Sequence, residues 1–247
     1  MEDYKKRFAR FLAQQGAILF RDGLRLKDGR PTPYFINMGV FSRGRASLKL
    51  GSFYAEMMKA NRLVKKTDIV FGPSYKGSAI AQATAIALSL KYKQDVGFAY
   101  DRKEVKAHGE ASKKGSMLVG EPLRNNARIF IVDDVATTLT TKLDVIAKIK
   151  AEAQRLGVKV KLLGVGIGVD REQTTAVYDK KGRVKEGVRG KDPIKEFRKK
   201  TGLPVYRIAG VREIFGYLAG RKIGGRIYVT QKDYERFLEY DAIYGTR

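Results

Sequence analysis

A chain of 247 residues with 43% hydrophobic content is long enough to bury a sizeable core, and a single domain spanning 1–247 is expected. No apolar run reaches the roughly 18 residues of a membrane span, no signal-peptide core follows MEDYKKRF, and zero cysteines exclude disulfides and thiolate metal sites, so the expected location is the cytoplasm. The 50 Lys+Arg against 26 Asp+Glu give a net charge of +24, which favours anionic partners, either phosphate-bearing small molecules or nucleic acid.

In chain order, Ala46–Ala60 carries helical periodicity and leads to "DIVFG" (Asp68–Gly72), a β-branched and aromatic run that predicts a strand. Ser78–Lys91 predicts the next helix and "DVGFAY" (Asp95–Tyr100) the next strand. Ala107–Gly120, "AHGEASKKGSMLVG", is small, polar and glycine-rich, and predicts a long mobile loop. The strand "RIFIVDD" (Arg128–Asp134) precedes a helix over Thr140–Leu156, with Leu143, Ile146, Ala147, Ile149 and Ala153 as its apolar face and Gly157 marking its end. "KLLGVGIGVD" (Lys161–Asp170) and "PVYRIAG" (Pro204–Gly210) are further strands, with a helix at Pro193–Thr201. Val177–Asp192 is basic with glycines at turn spacing, and predicts an exposed hairpin insertion centred on 177–192. The C-terminal extension, 221–247, reads as a strand in "GGRIYVT" and a helix in "QKDYERFLEYDAIYG". Strands alternating with helices predict an α/β fold with a central, mostly parallel sheet. In such sheets ligands bind beyond the carboxyl ends of the strands.

The stretch "ARIFIVDDVATTLTTK" (Ala127–Lys142) puts two carboxylates, Asp133 and Asp134, at such a strand end, followed by Thr137, Thr138, Thr140 and Thr141. Backbone N–H groups and hydroxyls at a helix N-terminus form a phosphate cradle. Carboxylates beside it can accept hydrogen bonds from sugar hydroxyls or hold a hydrated Mg²⁺. Phosphate, sugar and divalent cation together describe a phosphorylated ribose.

This stretch resembles the phosphoribosyl pyrophosphate (PRPP) motif of type I phosphoribosyltransferases. Four further segments resemble the bacterial-type orotate phosphoribosyltransferases, in order: "LKDGRPTPYFINMGVFSRG" (Leu26–Gly44), "FGPSYKGSAIA" (Phe71–Ala81), "YDRKEVKAHGE" (Tyr100–Glu110) and "GVDREQ" (Gly168–Gln173). The resemblance implies the type I phosphoribosyltransferase fold with a small N-terminal hood. It also implies the reaction of orotate with PRPP to give orotidine 5′-monophosphate and pyrophosphate, with Mg²⁺, in pyrimidine synthesis. The expected form is a homodimer whose catalytic loop reaches the neighbouring site.

Residue roles follow from the matched positions. Lys103, Lys106, His108 and Asp134 are the implied catalytic residues. Tyr75, Lys76 and Arg102 join Lys103, Lys106 and His108 around the pyrophosphate. Asp133 and Asp134 engage the ribose and a Mg²⁺-bound water, and Val135, Ala136, Thr137, Thr138, Leu139, Thr140 and Thr141 form the 5′-phosphate loop. Lys27 lies near both PRPP and the base; Phe35, Ile36, Thr137 and Arg171 serve orotate, Arg171 by pairing with its carboxylate, a bidentate geometry lysine does not reproduce.

The chain departs from the family pattern in three places. Leu139 stands where the phosphate loop usually has glycine, Ile36 where a second aromatic is common, and "SKKGS" lengthens the catalytic loop. An αL conformation costs leucine about 1 kcal/mol. These departures and the charge leave two other readings open: transfer to another base, or a PRPP-sensing or RNA-binding regulator on the same scaffold.

Overall fold

The computed structural model describes residues 1–102, 116–136 and 139–247. The chain opens with helix α1 (Asp3–Gln14), followed by two short strands, β1 (Ile18–Phe20) and β2 (Tyr34–Ile36), that pair antiparallel as a hood. Then come α2 (Gly44–Ala60), β3 (Ile69–Gly72), α3 (Lys76–Tyr92), β4 (Gly97–Asp101), β5 (Leu118–Gly120), β6 (Arg128–Ala136), α4 (Thr140–Arg155) and β7 (Lys161–Asp170). The last third holds α5 (Pro193–Thr201), β8 (Val205–Gly210), α6 (Val211–Leu218), the two-residue strands β9 (Lys222–Ile223) and β10 (Arg226–Ile227), and α7 (Gln231–Tyr244). Six strands form one sheet in the order β5-β4-β3-β6-β7-β8, parallel except for β5, which runs antiparallel to β4. The expected mostly parallel α/β architecture is what forms. Among the described residues no helix is long and apolar enough to cross a membrane.

Burial on both faces explains the apolar runs. All four residues of β3 are buried, as a central parallel strand requires. One face of the sheet packs under α1, α2, α3, α6 and α7, with Phe130 and Val132 of β6 in that core. The other packs under α4 and α5, with Ile129 and Ile131. The alternation along β6 is the two-residue period of a strand.

Several expectations are corrected. Leu118–Gly120, placed in the mobile loop, is the edge strand β5; residues 107–115 of that loop lie outside the described residues. On α4 the buried stripe is Lys142, Val145, Ile146, Ile149, Glu152 and Ala153, while Ala147 is exposed. The helix is rotated because its stripe starts from a buried lysine. "GGRIYVT" is strand only at β10: Gly224 and Gly225, both at positive φ, turn the chain from β9, which precedes the stretch, into β10. The exposed hairpin expected over 177–192 does form, through a Tyr178–Val184 antiparallel bridge, and it is tied down: Arg25 pairs with Glu186, and Gly187 N–H donates to the Tyr244 hydroxyl. The elements β1, β2, α1 and α6 were not foreseen. Three-residue strands are too short to display a period, and α6 follows β8 with no residue between, Gly210 both ending the strand and standing at the helix N-cap.

Candidate active site

Because strand side chains alternate, adjacent aspartates at the end of β6 face opposite sides of the sheet. Asp133 continues the parity of Ile129 and Ile131, toward α4. It is 8% exposed, and its Oδ2 lies 2.5 Å from Nζ of Lys142, itself 4% exposed. Its Oδ1 accepts the Asp134 N–H at 2.8 Å, and its carbonyl accepts the Tyr54 hydroxyl at 2.6 Å. Burial pushes the Asp133 carboxyl up from its ordinary value, against the pull of Lys142. Removing one member of such a buried pair costs about 3–5 kcal/mol. Asp134 faces the other way: Oδ1 accepts the Val135 N–H at 2.7 Å and Oδ2 lies 3.5 Å from Nζ of Lys76. One carboxylate is braced from within and the other looks outward.

Beyond β6 the chain enters α4 through Leu139, the residue before the helix, whose φ is +56° and which is 2% exposed. Leucine thus keeps the left-handed conformation expected of the family's glycine, and its side chain enters the α4 core. Burial of a leucine is worth about 1.5–3 kcal/mol, which offsets the conformational cost. The Leu139 carbonyl accepts from the Lys142 and Leu143 N–H groups at 3.0 and 3.3 Å. Leu139, at the N-cap, has no side chain that can accept from the turn, and the first turn carries no acidic residue, so its positive dipole end suits an anion. Thr140 and Thr141 are exposed on that turn. Thr137 and Thr138 lie outside the described residues, as does the side chain of Ala136.

Lys76 sits at the start of α3, where β3 turns directly into the helix. A Cβ at Gly72 would collide with the Gly77 carbonyl, so the turn closes only with glycine there. Asp101, buried at the end of β4, accepts the Ser74 N–H at 2.7 Å and pairs with Nζ of Lys148 from α4 at 2.5 Å. The Ser74 hydroxyl in turn donates to the Asp101 carbonyl. Ser74, exposed Tyr75, Ser78, Tyr100, Asp101 and Arg102 border an open cavity of about 620 Å³. Lys103, Lys106 and His108 lie outside the described residues.

The hood approaches from above. The atoms nearest a Cβ built at Gly168 are the Tyr54 hydroxyl, the Asp134 carbonyl and the Met38 side chain, at 2.8, 2.9 and 3.0 Å. Hood, β6 and β7 therefore meet there. Phe35 is 42% exposed between buried Tyr34 and Ile36; the Ile36 side chain faces the core, leaving its backbone as the part a ligand could reach. Lys27 is exposed on the hood turn. Arg171 is 3% exposed, stacked 4.4 Å over the Tyr34 ring. Its Nε donates to Gln173 at 3.0 Å and Nη2 to Thr32 at 3.3 Å. The edge expected to grip a carboxylate is thus engaged internally. Tyr240 of α7 also donates to Gln173, at 3.0 Å.

Sequence reasoning placed Lys76 and Asp134 together and missed Lys142, Tyr54, Asp101 and Lys148. A signal existed for Lys142: it stands three, four and seven residues before Val145, Ile146 and Ile149, on the buried side.

Three comparisons bear on this arrangement. The model of the phosphoribosyl transferase domain family matches residues 43–181. An orotate phosphoribosyltransferase of Bifidobacterium animalis subsp. lactis is 37% identical, over 97% of this chain and 96% of the relative. One of Clostridium beijerinckii is 33% identical over the whole of both. Among solved structures, orotate phosphoribosyltransferase of Francisella tularensis is similar with a TM-score of 0.72 and 26% identity, covering 97% of this chain and 100% of that one.

Proposed function

Because the chain belongs to the phosphoribosyltransferase family and, within it, to the orotate phosphoribosyltransferases, we infer that it forms orotidine 5′-monophosphate and pyrophosphate from orotate and PRPP, in pyrimidine synthesis. The observation that carries the residue-level reading is the outward Asp134 beside Lys76, next to a first turn of α4 that carries no acidic residue. The ribose 5′-phosphate sits on that turn, held by Thr137 through Thr141. Asp133 and Asp134 accept hydrogen bonds from the ribose hydroxyls. Lys76 and Arg102, with Lys103, Lys106 and His108, surround the pyrophosphate.

The reaction is displacement at the anomeric carbon through an oxocarbenium-like transition state, with no covalent nucleophile. Positioning and preorganised charge supply the rate: cations around the pyrophosphate stabilise the charge it gains on leaving. Phe35 covers the flat face of the pyrimidine, with Lys27 near base and PRPP. Arg171 meets the orotate carboxylate through its Nη groups, exchanging the long Thr32 contact.

Among the described residues no group of three histidine or acidic side chains could hold a metal. A single outward carboxylate suits an ion that arrives on the substrate's phosphates and keeps its waters, as Mg²⁺ does. Asp134 would accept from such a water, and bound Mg²⁺ would neutralise pyrophosphate charge.

A homodimer is supported by α3, whose exposed side mixes polar residues with large apolar ones. Ile86 and Leu90 are exposed near its C-terminal end and Tyr75 just before its start, and exposed large apolar side chains of this kind suit a covered surface.

The test mixes purified protein with orotate, PRPP and Mg²⁺ and follows the loss of orotate absorbance. Wild type should turn over, and Asp134→Asn should be about 10- to 100-fold slower, the worth of one charged hydrogen bond. Wild type that consumes PRPP with another base but ignores orotate would refute the orotate assignment.

A further inference from the structure

Lys142 occupies a position where packing calls for an apolar residue. It heads the buried stripe of α4, and burying an ammonium is unfavourable without a partner. It also lies in the first turn, where a cation opposes the helix dipole. Neither helix formation nor packing accounts for it, and local rules tend to be broken at functional sites. Its Nζ is 2.5 Å from Asp133 Oδ2, while the Asp134 N–H holds Oδ1 at 2.8 Å. Two donors on two oxygens fix the carboxylate against rotation. About half of its roughly four acceptor positions remain for other donors.

We propose that Lys142 is a positioning residue for the ribose, aiming Asp133 at a sugar hydroxyl without itself touching substrate. The proposal rests on the reading that Asp133 accepts from the ribose. Lys142 also joins the first turn of α4 to the end of β6. Leu139 anchors that turn on the apolar side and Lys142 on the polar side, so the phosphate seat and the sugar seat form one rigid corner. PRPP bound by its 5′-phosphate then meets carboxylates already in register.

Steady-state kinetics on the full chain test this. Lys142→Met should raise KM for PRPP tenfold or more and leave KM for orotate within twofold. Asp133→Asn should do the same, and the double variant should be no worse than Asp133→Asn, because both changes remove one contact. Losses that multiply in the double variant would overturn the proposal, as would a normal KM for PRPP in Lys142→Met beside an impaired Asp133→Asn. An unimpaired Asp133→Asn would instead refute the underlying reading of the site, and the proposal with it. Should Lys142→Met fail to fold, wild type labelled with ¹⁵N-lysine decides: the most shielded ammonium signal should shift with ribose 5-phosphate and not with orotate. A signal unmoved by ribose 5-phosphate would overturn the proposal.

Discussion

Leu139 combines two properties that seldom coincide, a left-handed backbone and a fully packed side chain. At an ordinary core position glycine is a worse replacement for leucine than alanine. Here alanine would leave the cavity and keep the strain of about 1 kcal/mol, whereas glycine would relieve the strain. Leu139→Ala is therefore expected to lose about 2–4 kcal/mol in urea unfolding, and Leu139→Gly about the same or less. A glycine variant clearly less stable than the alanine one would contradict this. The glycine position itself was legible, since the motif fixes where a positive φ is needed; what the sequence could not reveal is that a neighbouring core would accept the leucine. The pairing of Asp133 with Lys142 was half legible. Strand parity separates the two aspartates, but finding the lysine requires the rotation of α4, which the exposed Ala147 obscured.

At the scale of elements, β6 is held at both ends by charged groups. Its start is clasped to β3: Asp68 accepts from Arg128 Nε and Nη2 at 2.9 and 2.8 Å and from the Arg128 N–H at 2.8 Å. These bonds hold the Asp68 carboxyl down at about 2, below its usual 3.8. A carboxyl depressed on folding contributes stability that is present above its unfolded value near 3.8 and is lost as pH falls toward 2. With the pair partly open to solvent the effect is expected to be about 1 kcal/mol or less. Asp68→Asn should flatten the stability profile between pH 4 and 2, measured by urea midpoints; an unchanged slope would remove the clasp from the account. The far end matters more for function. From α4, Lys142 and Lys148 each reach an aspartate at a strand end, Asp133 and Asp101, tying the helix to the carboxyl ends of both β6 and β4. Most long elements were legible because they run through two or more periods; α1, with 12 residues, was the exception. The hood strands and β5 were not, because three residues in antiparallel pairing are fixed by partners distant in sequence.

For the whole molecule, the +24 charge exceeds what one small-molecule site can use. A multiply anionic substrate should be drawn to such a surface, so kcat/KM for PRPP is expected to fall steeply with ionic strength while kcat changes little. A flat salt response would leave the charge to another partner. The exposed Ile86 and Leu90 of α3 predict that Ile86→Glu with Leu90→Glu yields a monomer in sedimentation, and wild type a dimer. Beneath these predictions lies the corner where β6 meets α4. Crystals grown with ribose 5-phosphate test it most directly. The phosphate should lie on the first turn of α4, with ribose hydroxyls on Asp133 and Asp134. Ligand bound elsewhere, for instance in the cavity of about 530 Å³ between the hood and α7, with that corner empty, would contradict it.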